Sequence, residues 1–404
     1  MIPPVAGAGI AAGAPASAGA GSAPAGLPAT VAADGLAPAA GLGPPAAAAA
    51  ESRRPARASD RAPQAARIAV LGASGYAGQE FARLALAHPG LQLAALCSRE
   101  QAGRPACELL PGVDPRVDPL PPVLDPEALE ERLAAGAFDT LVCCLPHGAW
   151  KQLAAERPAL ADGPARVVDL SSDFRDGRVP AAGGWDYVYG LPEAFRLEIP
   201  AATRVANPGC YPTAAALALL PAAEWIAGPV MVSALSGVSG AGRAPQLRTS
   251  FVELDGGAAL YRAGTEHAHV PEMERTLARL AGRPVPVGFA PQLAPMARGI
   301  LLTATAPLAR PVSPGEARDA YLARYEGEPF VRVLAAGTWP ETRAVRSSNR
   351  CDVAVTTLHG GTTLLAAAAL DNLVKGAAGQ AVQNLNLMLG WPEEWGLPTH
   401  GTPW

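Results

Sequence analysis

The sequence predicts an α/β chain: a first domain of alternating strands and helices on a parallel sheet, a mixed second domain, and a terminal helix. Three observations predict it. An apolar strand, a glycine-rich turn, a helix and a second strand follow one another over residues 68–98, the ~30-residue span of a βαβ unit. Strand-like apolar runs recur at 141–145 and 167–170. From about residue 211 alanine-rich helical stretches mix with alternating strands, such as 299–305 and 351–357, and 361–389 is a long helix-compatible stretch.

The chain has 404 residues, 49% of them hydrophobic and 17% charged, which supplies a sizeable core and suggests two or three domains. The formal net charge is −4 and no Lys/Arg run occurs in the body, which argues against a nucleic-acid partner. The six cysteines lie in a large chain without a secretory signal, so reduced thiols are expected. No apolar run approaches the ~18 residues of a membrane span.

Residues 1–50 are almost entirely Ala, Gly and Pro, with Asp34 as the only charge, and 51–66 is a polar, mildly basic stretch. Small residues bury too little surface to offset chain entropy, so 1–66 reads as a disordered tail and linker. It lacks the charged start and apolar core of a secretory signal, and Arg, expected in a transit peptide, is absent before Arg53.

Strand Ile68–Leu71 leads into Gly72-Ala73-Ser74-Gly75-Tyr76-Ala77-Gly78, and a helix is expected over 79–88. Glycines let a backbone approach a pyrophosphate, and a helix N-terminus offers N–H groups and a positive dipole end. Gly72, Ser74, Gly75, Tyr76, Ala77 and Gly78 are therefore the expected dinucleotide cradle. The next strand, 91–96, ends in Cys97-Ser98-Arg99 where an NAD site would place a carboxylate. A hydroxyl followed by a guanidinium suits a 2′-phosphate, so the expected cofactor is NADP(H), bound through Ser98 and Arg99, although Glu100 follows directly.

Asn207-Pro208-Gly209-Cys210-Tyr211-Pro212-Thr213 is a sharp turn opening a helix, with Cys210 near the helix start. That position is expected to lower the thiol pKa and to make Cys210 a nucleophile. Cys143 and Cys144 lie inside an apolar strand and read as core. His267 and His269, in Glu266-His267-Ala268-His269-Val270-Pro271-Glu272, are expected on the same side of an extended segment stopped by Pro271. They are proton-transfer candidates; a metal site is not expected, since no third ligand is evident.

These segments together resemble the N-acetyl-γ-glutamyl-phosphate reductases of arginine biosynthesis. The cysteine turn carries the resemblance, and several other segments agree in order. They include Leu145-Pro146-His147-Gly148, Ser171-Ser172-Asp173-Phe174-Arg175, Tyr189-Gly190-Leu191-Pro192-Glu193, Ser236–Arg243, Pro295–Gly299 and Asp371–Ala381. The resemblance covers about 67–395. It implies a Rossmann-type NADP-binding domain over 67–209, completed by a C-terminal helix at 370–404. A catalytic, substrate and oligomerisation domain of the glyceraldehyde-3-phosphate dehydrogenase type then spans 210–369. It also implies the nucleophile at Cys210 and the acid/base at His269, with His267, Arg175 and Arg243 for an anionic substrate. Pro146 and Asn372 join the cofactor contacts, Asn372 at the nicotinamide amide. Ala268 and Ser348-Asn349-Arg350-Cys351 depart from the family pattern.

The implied reaction is NADPH-dependent reduction of an acyl phosphate to an aldehyde through a thioester on Cys210, with release of inorganic phosphate, by a cytoplasmic homo-oligomer (dimer or tetramer). A plastid is the alternative compartment if the tail is a transit peptide. Alternatives for function are aspartate-semialdehyde dehydrogenase, a reductase of the one-carbon-longer α-aminoadipyl phosphate in lysine biosynthesis, and a non-catalytic NADP-binding redox sensor. The first places a polar residue where Gly209 precedes the cysteine, and the last predicts loss of nucleophile or base.

Overall fold

A computed structural model describes residues 65–116, 120–176 and 186–402. The tail expected over 1–66 lies, up to residue 64, outside the described residues. Ala65 and Ala66 do not: Ala66 already begins the first strand, one residue ahead of the expected start of order.

Seven parallel strands form the first sheet: β1 (Ala66–Leu71), β2 (Leu91–Cys97), β3 (Val123–Leu124), β4 (Thr140–Cys143), β5 (Arg166–Asp169), β6 (Val188–Tyr189) and β7 (Arg204–Ala206). Their order is β3-β2-β1-β4-β5-β7-β6. The order reverses between β1 and β4, and ligands of open α/β sheets bind at the carboxyl ends of the strands flanking such a switch. The glycine-rich turn leaves β1 there, and the loop carrying Pro146 and His147 leaves β4. The helix expected over 79–88 spans Tyr76–Ala87 and buries Phe81, Leu84 and Ala85 of its apolar positions, while Ala87 is exposed.

The second sheet is mixed: β8 (Val230–Ser236), β9 (Ala259–Leu260), β10 (Val287–Leu293), β11 (Ile300–Pro307), β12 (Val331–Val333), β13 (Cys351–Leu358) and β14 (Thr363–Leu370), ordered β12-β13-β14-β11-β8-β10-β9. The cysteine helix, Cys210–Leu219, packs on this sheet and buries every residue after Cys210. Its alanines allow that close approach. Pro212 is tolerated because the first-turn N–H groups of a helix have no intrahelical partner.

Three expectations fail in instructive ways. Residues 363–370, TLLAAAAL, are expected in a helix but form β14, paired antiparallel with β11 on one side and β13 on the other. Alanine's helix preference is a fraction of a kcal/mol per residue, and two complete ladders around a buried strand outweigh it. The terminal helix does not fill 370–404. A π-turn, Val374–Ala378, precedes a helix of Gly379–Met388, which stops before Gly390 (φ +70°) and Pro392. Finally, Pro271 does not stop an extended segment; it opens the helix Val270–Ala281, taking the first-turn place where a missing N–H costs nothing.

Candidate functional site

At the glycine-rich turn, Gly72 has φ +81°, and a Cβ there would lie 2.6 Å from Cys144 O on the neighbouring strand end. A Cβ at Gly78 would run into Gly72 O, so the helix can press on the turn only with glycine there. Gly75, in extended conformation, precedes the first helical residue Tyr76, and no side chain caps the N–H groups of Tyr76, Ala77 and Gly78. Ser98 Oγ donates to Ser74 Oγ (3.0 Å), which ties the turn to the end of β2, and Arg99 stands exposed beyond it. Pro146 is exposed at the end of β4. These residues fit a dinucleotide: open N–H donors, a backbone with room for phosphate, and a hydroxyl and a guanidinium at the second strand's end.

Cys210 is the first residue of its helix, after the extended Gly209 (φ −68°, ψ 155°). The turn is built from chain-distant residues. Glu272 Oε1 accepts from Gly209 N (2.9 Å) and from Tyr189 Oη (2.8 Å), while Glu272 Oε2 pairs with Arg175 Nη1 (2.9 Å). A Cβ on Gly209 would sit 2.7 Å from His269 Nε2 and 2.8 Å from Arg175 Nη1. The imidazole and the guanidinium therefore converge on the residue before the cysteine. Burial pushes the Cys210 thiol up, to about 11, against the N–H groups of Tyr211 and Cys210 and the Arg175 guanidinium, which favour thiolate. The expected lowering by the helix start is real in sign but smaller than the loss of water.

His267 and His269 lie 4.9 Å apart between ring centroids, each edge-on to Tyr211. His269 N donates to His267 Nδ1 (3.1 Å), which leaves the His267 proton on Nε2. Burial, then Arg175, His267 and His147, hold His269 well below the usual imidazole range, so it is neutral at physiological pH. His267 is pushed down to about 4 by burial, Arg262 and His147. His269 Nδ1 is buried without a hydrogen-bond partner. The site therefore holds a neutral imidazole and a neutral thiol, not an imidazolium paired with a thiolate.

Three expected site residues have partners within the chain. Arg175 is buried and spends its guanidinium on Asn207 O, Glu272 and Leu170 O, so it borders the cysteine turn as an internal cation. Arg243 Nη1 donates to Ser74 O (2.9 Å) and lines a cleft of about 450 Å³ with Tyr76, Ser239 and Arg298, beside the glycine-rich turn. Asn372 Oδ1 accepts from Gly299 N (2.7 Å) and its Nδ2 donates to Ser239 Oγ (3.0 Å), so its amide holds two loops of the second domain together. Sequence reading missed Glu272, although Pro271-Glu272 is a helix-start signal that would have placed it in the first turn beside the histidines. It also missed Tyr189, whose hydroxyl reaches Glu272 from the first domain, and His147, which accepts from Ser172 N and acts on His267 and His269 through its charge. Among the described residues no cluster of three or more metal-ligating side chains forms, and no helix is long and apolar enough to cross a membrane.

Comparison with known proteins bears on this geometry. The family model of the semialdehyde dehydrogenase NAD binding domain matches residues 67–202, and that of the semialdehyde dehydrogenase dimerisation domain matches 210–372. A protein of Halorhodospira halophila named N-acetyl-gamma-glutamyl-phosphate reductase is 43% identical over 346 residues, covering 82% of this chain and 97% of the relative. The protein of that name from Desulforamulus reducens is 42% identical, covering 83% and 99%. Among solved structures, aspartate semialdehyde dehydrogenase II of Vibrio cholerae superposes with a TM-score of 0.61 at 18% identity, covering 81% of this chain and 99% of that one. Aspartate semialdehyde dehydrogenase with NADP from Candida albicans gives 0.59 at 16% identity, covering 80% and 98%. At those identities the solved structures show the shared fold alone.

Proposed function

The chain belongs to the N-acetyl-gamma-glutamyl-phosphate reductase family, and from that premise we propose that it reduces N-acetyl-γ-glutamyl phosphate to N-acetyl-glutamate 5-semialdehyde with NADPH, releasing phosphate, in arginine biosynthesis. The observation that carries this is the convergence of His269 Nε2 and Arg175 Nη1 on Gly209, immediately before Cys210 at its helix start.

His269, kept neutral by burial, takes the proton of the Cys210 thiol on Nε2 as the sulfur attacks the acyl carbon. The carbon–oxygen bond to phosphate breaks and a thioester on Cys210 remains. A free carboxylate has no comparable leaving group, so the phosphate is required. The first-turn N–H groups after Cys210 meet the oxyanion that forms at each tetrahedral stage. NADPH, when bound, supplies the hydride that brings the acyl carbon to the aldehyde level. His269 returns its proton to the oxygen that gains charge, and collapse of the adduct frees Cys210.

The residues proposed to hold NADPH are Gly72, Ser74, Gly75, Tyr76, Ala77, Gly78 and Pro146, with Ser98 and Arg99 at the 2′-phosphate. Arg175 contributes positive charge at the nucleophile, and Arg243 acts from the cofactor side. Asn372 serves the reaction by fixing the loops at Ser239 and Gly299. His267 orients substrate. The working form proposed is a cytoplasmic homo-oligomer built through the second domain, whose exposed Met231, Phe251, Val252 and Leu260 suit a second copy of the chain.

The deciding experiment runs the reaction backwards. Phosphate-dependent reduction of NADP is measured side by side with N-acetyl-glutamate semialdehyde and the α-aminoadipate homologue. The expected result is a kcat/KM at least about tenfold higher for the shorter chain, the order of one methylene's worth of binding. Preference for the longer homologue would move the protein to lysine biosynthesis, and no turnover with either would end the reading.

A further inference from the structure

The π-turn Val374–Ala378 lies against the nucleophile. Its backbone bonds run five residues back: Gly376 N to Asp371 O (2.9 Å) and Ala378 N to Leu373 O (2.8 Å). Single π-turns are uncommon and recur at functional sites. This one brings Gly376 so close that a Cβ there would lie 2.7 Å from Cys210 Cβ. The next carbonyl, Ala377 O, accepts from Asn207 Nδ2 (3.2 Å), at the other end of the cysteine turn. Asn207 Oδ1 in turn accepts from Asn384 Nδ2 (3.0 Å), on the helix that continues from the π-turn.

What anchors the π-turn is a charge in the protein interior. Lys375 is wholly buried, and its Nζ donates to Glu193 Oε1 (2.6 Å) and Gln383 Oε1 (2.7 Å). Glu193 is wholly buried as well, and its Oε2 has no hydrogen-bond partner. Burial alone would raise the Glu193 carboxyl, and the Lys375 ammonium brings it below its ordinary range. A pair this deep gains little stability over well-packed apolar residues, because both ions lose their water; what it supplies is geometry, since a displaced partner leaves a bare charge in the core. Glu193 belongs to the first domain and Lys375 follows the last strand of the second, so the pair locks the turn across both.

We propose that Lys375 and Glu193 are positioning residues for the nucleophile: their buried ion pair sets the π-turn, and the π-turn seats Cys210 through Gly376 and the Asn207 turn through Ala377. The inference rests on Cys210 being the nucleophile of the reading above. Nothing in it requires Lys375 or Glu193 to touch substrate.

The test uses the full-length chain and two variants. Gly376→Ala keeps every hydrogen bond and pushes directly on Cys210. Lys375→Met combined with Glu193→Gln removes both charges and leaves no bare ion in the core. Each is expected to lower kcat by about 10²-fold, the cost of a displacement of roughly 1 Å at a reacting group. KM for NADP should stay within about twofold of the parent, a split that general loosening of the fold would not produce, because the glycine-rich turn is untouched. The rate of Cys210 alkylation by iodoacetamide is read in parallel and should change in both variants. Parental kcat and parental alkylation in Gly376→Ala overturn the proposal. So do they in the double variant, and Gly376→Ala decides alone if the double variant does not fold. Were the parent inactive with both semialdehydes, the functional reading would fail by itself, and the alkylation rates would still decide whether the π-turn seats Cys210.

Discussion

The molecule contains two strand–turn–helix junctions of the same local design, and their fates differ. In both, an extended glycine precedes the helix: Gly75 at φ −77°, ψ 161° and Gly209 at φ −68°, ψ 155°. Neither helix has a side-chain cap. At the first junction a Cβ on Gly75 would meet only Gly72 O, at 3.5 Å. At the second the same atom would strike His269 and Arg175, Glu272 accepts from Gly209 N, and Gly376 packs on Cys210, which keeps partial exposure. The lesson is that a helix start with free N–H groups is only a capacity for negative charge. Left open on solvent it suits a phosphate that arrives from outside. Walled in by partners from elsewhere in the chain, it suits a sulfur that must be neutral at rest and charged only during reaction.

Breaking each junction tests that contrast. Cys210→Ser should cost the most, lowering turnover by about 10⁴-fold or more, because an unactivated hydroxyl replaces the nucleophile. NADPH titration should show unchanged affinity, since the other junction is intact; near-normal turnover would refute the thioester route. His269→Asn should lower turnover by about 10²–10⁴-fold, the range of a general acid–base group, and His267→Asn by less. A larger loss in His267→Asn would exchange their roles. In the parent, burial favours the neutral thiol, so Cys210 alkylation should climb with pH toward a midpoint near 11, above the ~8.5 of a free thiol. A midpoint below that of a free thiol would mean that the helix start outweighs burial.

Two milder substitutions sharpen the comparison. Gly209→Ala drives a methyl into the His269 ring and should reduce kcat by about 10²-fold. Gly75→Ala has room in the fold, so its effect should appear as a few-fold rise in KM for NADPH with kcat kept. Equal effects at the two glycines would show that both turns are equally enclosed. Arg99→Glu, also at the first junction, replaces a phosphate partner with a like charge. It should weaken NADPH by about tenfold, the worth of a charge-assisted hydrogen bond, and NADH hardly at all. Parallel losses for both cofactors would make Arg99 an ordinary surface charge.

How much of this was legible follows from how far each feature reaches along the chain. The βαβ unit, the glycine-rich turn and the cysteine at a helix start depend on neighbours within a few residues, and all three were read from spacing and residue type. The segment 363–370 was misread because an alanine run is locally helical and only its partners, β11 and β13, make it a strand. Pro271 differs for the opposite reason: proline both ends extended segments and starts helices, and the choice made here, the start of Val270–Ala281, is a local one.

The sequence by itself determined the family and the βαβ start of the first domain, and it singled out Cys210 at a helix start, because ordered motifs and local turn chemistry survive without coordinates. Only the tertiary structure decided the electrostatic state of the site. Glu272 reaches Gly209 across 63 residues, and Lys375 reaches Glu193 across 182. The protonation of Cys210 and His269 depends on how much water those distant partners exclude. A thiol at a solvated helix start would fall in pKa; the same thiol walled in by other parts of the chain rises, because desolvation of the charged form outweighs the pull of a few N–H dipoles.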